Sequence, residues 1–282
     1  SWAGNYYDYP YAMITQFMRT GEKLYLERFW ASAVQIGDVH TTNWHPKKAL
    51  IGGCRYCPPR NFVAFDNGKV MTSVEFNHYK AQSVYAHYYF TGDLRSLEHC
   101  TLLANNALLS RAADSGWAAR GVGHQLSGLC CAYELWRDPK YLERMKARAA
   151  AAMRQFKNGK YAKGGFHDGI ANEGLCYYYM VTGDQKVIET FKVGYPKSKN
   201  RDRYPNMAFG AALTWRMTGD EQFREWAWKA LGKKKASSRV HGPATQYRGN
   251  CYALFFLSKA SEGWKPYTGP AGDGKGPDDI EP

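Results

Sequence analysis

Two kinds of apolar pattern alternate along the chain. The runs at 126–136 and 208–215 are apolar on nearly every side, and a helix with that pattern has to be buried on most of its surface. Other runs carry a single apolar stripe with charged residues opposite, which is typical of a surface helix. The clearest stripe consists of Phe223, Trp226, Ala227, Ala230 and Leu231. The alternation predicts helices in pairs, each with one inner and one outer member.

A short turn recurs between the two kinds of run. It reads Thr-Gly-Glu at 20–22 and Thr-Gly-Asp at 91–93, 182–184 and 218–220, and Arg-Asp-Pro at 137–139 takes the same place once. Glycine suits the left-handed residue that ends a helix, and an Asp side chain can accept a hydrogen bond from the amides that begin the next one. These turns therefore predict helix-to-helix junctions.

Counting the runs predicts the fold. The inner runs lie near 7–19, 77–90, 122–136, 170–181, 205–217 and 245–260, and the outer runs near 23–36, 94–110, 140–156, 185–193 and 221–231. Six inner and five outer helices predict an all-α fold, an (α/α)6 toroid whose hairpins close into a ring. An open solenoid of the same hairpins is the alternative. We expect the sixth outer helix before Ser1, which makes the chain a piece of a larger protein.

Two segments depart from the helical pattern. The long loop at 37–74 contains two short apolar runs around Asp-Asn-Gly-Lys at 66–69, and this pattern predicts a small β-hairpin near 54–74. The stretch 263–282 is rich in Gly, Pro and Asp. We therefore predict one toroid domain over 1–262 and a loose tail over 263–282.

Composition narrows the class of protein. The net charge is +13, and basic runs in loops are most often a solvated surface. No nucleic-acid-binding motif accompanies them, so an acidic polysaccharide fits at least as well as nucleic acid. No apolar run of eighteen residues occurs, which argues against a membrane span. The seven cysteines are an odd number. Cys54 and Cys57 form a lone C-x-x-C pair, for which a disulfide or free thiols are favoured over zinc.

The starts of the inner helices concentrate polar and aromatic residues. In a toroid these starts meet at one mouth, whereas the repeated turns lie at the other end. Rings and directed hydrogen bonds suit a sugar, and helix N-termini favour an anionic group such as a uronate. Helix capping and ring closure are the alternative roles for each residue. The substrate-binding candidates are Asn5, Tyr6, Lys80, Arg120, Asn206, Tyr247, Arg248 and Asn250.

Two histidines stand out among the eight. His78 and His124 lie at inner helix starts, each close in sequence to a basic residue, Lys80 or Arg120. A neighbouring cation helps to keep an imidazole neutral and able to accept a proton. We therefore predict His78 or His124 as a general base.

Several segments together resemble a known family. They are Gly-Asn-Tyr-Tyr-Asp-Tyr-Pro at 4–10, Phe-Met-Arg-Thr-Gly at 17–21, Asp-Val-His-Thr-Thr at 38–42, the glycine pair at 52–53, and the run from His78 to His-Tyr-Tyr-Phe-Thr-Gly-Asp at 87–93. This pattern resembles the C-terminal α/α toroid of the exo-rhamnogalacturonan lyase family, polysaccharide lyase family twenty-six. Members of that family carry β-rich domains ahead of the toroid, and the resemblance implies a secreted or periplasmic protein.

The resemblance also implies a reaction. It implies cleavage of an acidic pectin backbone by β-elimination with a histidine base, for which His78 is the best match and His124 the second. A cation such as Arg120, Arg248, Lys80 or a bound Ca²⁺ would stabilise the charge that develops on the uronate carboxylate. Tyr7 or Tyr79 would protonate the departing oxygen, and Asp8 is a candidate metal ligand.

Two other functions fit the same pattern. A glycoside hydrolase on this toroid would need two carboxylates, and the acids at helix starts are Asp8, Glu75, Asp168 and Glu173. A glycan-binding or assembly module without catalysis is the other alternative, because fold alone does not dictate function.

Overall fold

The computed structural model describes residues 8–54, 65–66, 69–70, 79–109, 119–161, 165–232 and 241–267, with the backbone alone at 65–66, 69–70 and 241–247. Eleven α-helices lie in these ranges. The helices are α1 Tyr9–Thr20, α2 Lys23–Gln35, α3 Gln82–Thr91, α4 Leu94–Leu109, α5 Ala119–Trp136, α6 Pro139–Phe156, α7 Phe166–Thr182, α8 Lys186–Lys197, α9 Ala208–Thr218, α10 Glu221–Leu231 and α11 His241–Leu257. Each of them falls on one of the predicted runs.

The odd-numbered helices form a closed inner ring. Each packs against the next odd-numbered helix, and α11 packs back against α1. Two side-chain pairs join α11 to α1: the hydroxyls of Tyr11 and Tyr252 lie 2.5 Å apart, and Gln16 Nε2 donates to Cys251 Sγ at 3.3 Å. The even-numbered helices lie outside the ring. The predicted all-α toroid is therefore confirmed.

The recurrent turn gives its junctions a shared backbone geometry. Gly21, Gly92, Gly183 and Gly219 end their helices at φ between 67° and 74°, and Arg137 takes the same left-handed conformation at φ 57°. Asp138 and Asp220 each accept a hydrogen bond from the amide two residues on, at 2.9 and 3.0 Å. These contacts confirm the capping that the sequence predicts.

The threonine of the turn has a role of its own. In the four copies that contain it, its hydroxyl donates to the carbonyl four residues earlier and accepts from the amide two residues later, as Thr91 does with His87 and Asp93 at 2.7 and 3.1 Å. Thr20, Thr182 and Thr218 repeat both bonds. The threonine therefore ties the last turn of the inner helix to the linker that follows.

Some element limits differ from the predicted ones. Strands β1 Phe65–Asp66 and β2 Lys69–Val70 pair in the register of a two-residue turn, as predicted. By contrast, α5 begins at Ala119 and α11 at His241, so Arg248 lies two turns inside α11 instead of at its start. A short 3-10 helix at Pro205–Met207 precedes α9. The division into a domain at 1–262 and a tail at 263–282 stays a prediction.

Glycine brings two inner helices unusually close. A Cβ on Gly123 of α5 would lie 2.2 Å from the Ile170 carbonyl oxygen of α7, and a Cβ on Gly174 would lie 2.7 Å from the Gly123 carbonyl oxygen. A side chain at either position would push the two backbones apart. This crossing places the first turns of α5 and α7 side by side at the mouth.

Within the described part of the chain, none of the helices has the length and hydrophobicity needed to cross a membrane.

Candidate functional site

A buried charge pair lies at the centre of the mouth end. Arg248 of α11 donates from Nε to Glu173 Oε1 and from Nη2 to Glu173 Oε2, both at 2.8 Å. The two side chains are 1% and 2% exposed. Burial alone would lower the pKa of Arg248, but the charge and hydrogen bonds of Glu173 outweigh it and raise that pKa. The two hydrogen bonds fix α7 to α11 inside the ring.

His124 lies against this pair. Its Nδ1 is 3.4 Å from Arg248 Nη1. A guanidinium only donates hydrogen bonds, so Nδ1 is the acceptor and the ring proton of the neutral imidazole lies on Nε2. In this tautomer His124 offers a hydrogen-bond donor toward other groups. A proton-accepting role would require Nδ1 to leave Arg248.

Asp8 is a buried carboxyl at the start of α1. It is 1% exposed and takes a left-handed conformation, φ 58° and ψ 49°, which is strained for a residue other than glycine. Oδ2 accepts from the Ser83 amide at 3.2 Å, whereas Oδ1 has no hydrogen-bond partner among the described residues. Burial raises the pKa of Asp8, although Ser83, Arg248 and Lys80 act to lower it.

Lys80 and Tyr79 precede α3 and point to different surroundings. Lys80 is fully buried and lies within electrostatic range of Asp8, while its backbone amide donates to the thiol of Cys54 at 3.2 Å. The hydroxyl of Tyr79 donates to the Leu103 carbonyl in α4. The structure therefore directs the Tyr79 hydroxyl to the outer layer, away from the Glu173–Arg248 pair.

Three more of the predicted residues, Asn206, Arg120 and Asn250, belong to the described part of the chain. Asn206 is 4% exposed and donates to the Phe166 carbonyl at 2.7 Å. The Arg120 guanidinium lies 6.0 Å from the centre of the Phe166 ring. Asn250 is half-buried. The amide oxygens of Asn206 and Asn250 are buried without a hydrogen-bond partner among the described residues.

Five predicted residues cannot be placed. Asn5, Tyr6, Tyr7 and His78 lie outside the described residues, and Tyr247 is described only by its backbone. The roles assigned to them stay predictions. The same holds for Cys57, whose proposed partner Cys54 is buried.

One contact of the cluster was missed by the sequence analysis. The Tyr177 hydroxyl donates to Glu173 Oε1 at 3.4 Å. The two residues are four apart on α7, a spacing that places side chains on one helix face. That spacing was available as a signal, whereas the pairing of Glu173 with Arg248 was not.

The predicted metal site receives no support from its surroundings. The described residues contain no group of three or more His, Cys, Asp or Glu side chains able to hold a metal ion. The charged groups that act on Asp8 are the cations Arg248 and Lys80, and positive charges oppose the binding of Ca²⁺. Ca²⁺ stays an untested prediction, and no step below uses it.

The other acids predicted for a hydrolase differ in their surroundings. Asp168 accepts from Asn200 Nδ2 at 2.8 Å and from the Tyr161 amide at 3.3 Å. Both of its oxygens are thus used to hold neighbouring loops against α7. Glu75 lies outside the described residues. Among the described acids of the mouth, Asp8 is the one with an oxygen left for another group.

Comparison with solved structures shows that the fold is shared. One match is a protein described as a polysaccharide lyase, with a TM-score of 0.62 and 14% identity over 91% of this chain and 90% of that chain. Another is a glycosyl hydrolase family 88 protein from Bacteroides vulgatus, with a TM-score of 0.62 and 14% identity over 91% and 92%. No protein-family model and no curated protein matches the sequence. The resemblance to the exo-rhamnogalacturonan lyase family is not confirmed by these matches and stays a prediction.

Proposed function

We propose that the chain is a glycan-processing enzyme that cleaves an acidic, uronate-containing glycan by β-elimination. The observation that carries this proposal is the convergence of ionisable side chains from five inner helices on one mouth. These residues are Asp8, Lys80, His124, Glu173 and Arg248. The two proteins with the same fold, described as a polysaccharide lyase and a glycosyl hydrolase, support a glycan as the substrate class.

In β-elimination a base removes the proton on the carbon next to the uronate carboxylate. The electron pair of that bond forms a carbon–carbon double bond, the glycosidic bond breaks, and the departing oxygen takes up a proton. We assign the base to His78, as the family resemblance implies. His124 donates a hydrogen bond through Nε2 to the uronate carboxylate, since Arg248 engages its Nδ1. We assign the proton for the departing oxygen to Tyr7.

The cation for the uronate carboxylate is Arg120 in this proposal. Arg248 is nearly fully buried and donates twice to Glu173, so we assign it a positioning role for His124. Lys80 is fully buried as well and acts at a distance on Asp8. Arg120 is half-buried and lies beside the Phe166 ring, where a sugar ring could stack.

The test is incubation of the purified protein with rhamnogalacturonan oligosaccharides and with polygalacturonate. We expect growth of the ultraviolet absorbance of the unsaturated uronate product. His78→Ala should abolish it, and Arg120→Gln should raise KM. His87→Gln is the matched control, because His87 bonds to Ser96 in α4 at the turn end and its loss should leave turnover unchanged. Glycan binding without product from any uronate-containing glycan would support the non-catalytic alternative.

Asp8 favours a second candidate function, glycoside hydrolysis. A carboxyl whose pKa is raised by burial can remain protonated and donate to a departing oxygen, which is the general acid of a hydrolase. The second carboxylate would be Glu75, since Glu173 is held by Arg248. Release of reducing ends without the unsaturated product would favour hydrolysis over elimination, provided that Asp8→Asn abolishes this release.

A further inference from the structure

A large cavity opens at the turn end of the barrel, opposite the charged mouth. Its volume is about 620 Å³, within the range of roughly 300–1,000 Å³ typical of small-molecule sites. The wall is made by residues between 11 and 18 of α1, by residues between 82 and 90 of α3, by the later turns of α5, α7 and α11, and by Trp264. The glycan proposal assigns this cavity no role.

The wall is rich in aromatic side chains that remain accessible. Tyr89 and Phe90 are 54% and 46% exposed, although both line the cavity. Trp264 also lines it and packs against Phe256 with ring centres 5.0 Å apart. Flat rings held open to solvent can receive the apolar body of a ligand or a cation over their faces.

One acid stands in this wall. Glu134 of α5 lines the cavity and is exposed to solvent, yet the surrounding protein raises its pKa by desolvation, with Arg137 acting in the opposite direction. Burial raises the pKa of Tyr11, Tyr89 and Tyr252, which come from three other helices, and the nearby charge of Glu134 adds to that effect. The Glu134 side chain, as part of the cavity wall, therefore faces the space inside the ring.

The backbone adds to the negative potential. All six inner helices run with their C-termini toward this end, and each helix C-terminus carries a partial negative charge. The nearby cations Arg137 and Arg19 do not line the cavity: Arg137 lies over Tyr133 and Tyr267 at 5.2 and 4.4 Å, and Arg19 donates to Gln16 at 2.8 and 3.1 Å. Charge complementarity therefore favours a cation in the cavity.

We propose that this cavity binds an organic ammonium ion with an apolar body, with the ammonium group against Glu134 and the body among Tyr89, Phe90 and Trp264. The site is independent of the glycan mouth, so either proposal can fail alone.

The test compares three probes of nearly equal size and different charge: 2-phenylethylammonium, 2-phenylethanol and 3-phenylpropionate. Binding is measured by calorimetry and by ligand-observed NMR on the full chain. We expect the ammonium ion to bind at least tenfold more tightly than the alcohol, and the carboxylate to bind least. Glu134→Gln should bring the ammonium ion and the alcohol to within about twofold of each other.

Two further variants control the result. Glu143→Gln removes an acid from the outer helix α6, where it pairs with Lys146, and should leave the tenfold preference intact. Ala86→Trp fills the cavity and should abolish binding of every probe while circular dichroism confirms the fold. The proposal is overturned if no probe binds at millimolar concentration, if the alcohol binds as well as the ammonium ion, or if Glu134→Gln leaves the preference unchanged.

Discussion

The two ends of the barrel differ in their regularity: residues and contacts repeat at the turn end and vary at the mouth end. At the turn end, nearly the same three residues recur at each junction and make the same hydrogen bonds, as Thr91 and Thr218 show. At the mouth end, the inner helices contribute different side chains, and those of α5, α7 and α11 contact one another. The repeated end fixes where the helices lie, so the other end is free to vary and to carry chemistry.

The ends also differ in how they hold charge. At the mouth, Glu173 and Arg248 are nearly fully buried and paired. At the turn end, Asp93 is partly exposed, and hydrogen bonds from Ser96 and Arg95 lower its pKa. Removing a charge from the buried pair should therefore be far more disruptive than removing an exposed one.

Breaking the buried pair should have the largest effect. Glu173→Gln leaves Arg248 buried without its carboxylate, which costs about 3–5 kcal/mol of the free energy of unfolding. Urea denaturation of the variant and the wild type measures this loss. The matched control is Glu143→Gln, which breaks an exposed 2.8 Å pair with Lys146 and should cost less than about 1 kcal/mol. Equal losses in the two variants would contradict the contrast between the ends.

A substitution that pushes α5 and α7 apart should have the second-largest effect on stability. A Cβ at Gly123 would lie 2.2 Å from the Ile170 carbonyl oxygen, and overpacking of this kind costs about 1–3 kcal/mol. Gly123→Ala should also lower turnover, because the crossing positions His124 and Glu173. Gly249→Ala is the control. Its Cβ would meet nothing closer than 3.8 Å, so it should gain up to about 1 kcal/mol from helix propensity.

The pH dependence of stability should have opposite signs at the two ends. The pKa of Asp8 is raised by burial, so the folded state binds its proton more tightly, and stability is lost as pH rises from about 3.9 through the folded pKa. Asp8→Asn removes this loss, and its stability relative to the wild type should improve as pH rises, by about 1.4 kcal/mol per unit of the shift.

Asp93 is the counterpart at the turn end. Its pKa is lowered, chiefly by the hydrogen bond from Ser96, so its contribution is present above the unfolded pKa and lost as pH falls through the folded one. The stability of the Asp93→Asn variant should therefore drop further below that of the wild type as pH rises. Thermal unfolding of Asp8→Asn and Asp93→Asn between pH 3 and pH 7 measures both trends. If the stability of both variants relative to the wild type changed in the same direction with pH, the contrast between the two ends would be wrong.

The smallest effect should come from a single cap. Asp220→Ala removes the acceptor for the Gln222 amide, a change that typically costs about 1 kcal/mol. Adding Asp138→Ala, which removes the same bond from the Lys140 amide, should double the loss, because distant sites contribute independently. Glycan turnover and probe binding should not change, and a loss of turnover would show that the junctions influence the mouth.

The sequence predicted the helices better than the site for a physical reason. The apolar period and the turn chemistry are local, and all eleven helices followed from them. The start of α11 lies at His241, four residues before the predicted 245, with Pro243 in the first turn, where proline is tolerated. The bond between Glu173 and Arg248 joins residues 75 apart. It depends on how two helices are rotated within the ring, which no local pattern specifies.

The seam between α11 and α1 has a consequence for biosynthesis. Tyr11 and Tyr252 are 241 residues apart, and Gln16 and Cys251 are 235 apart. Contacts this distant in sequence pay their loop-closure entropy before they gain any stability, and they slow folding. A nascent chain emerging from the ribosome can pair its hairpins one after another, but its first inner helix has no final neighbour until α11 has been translated. We therefore expect the apolar flank of α1 to be the last surface buried, and the natural place for a chaperone to hold the unfinished ring.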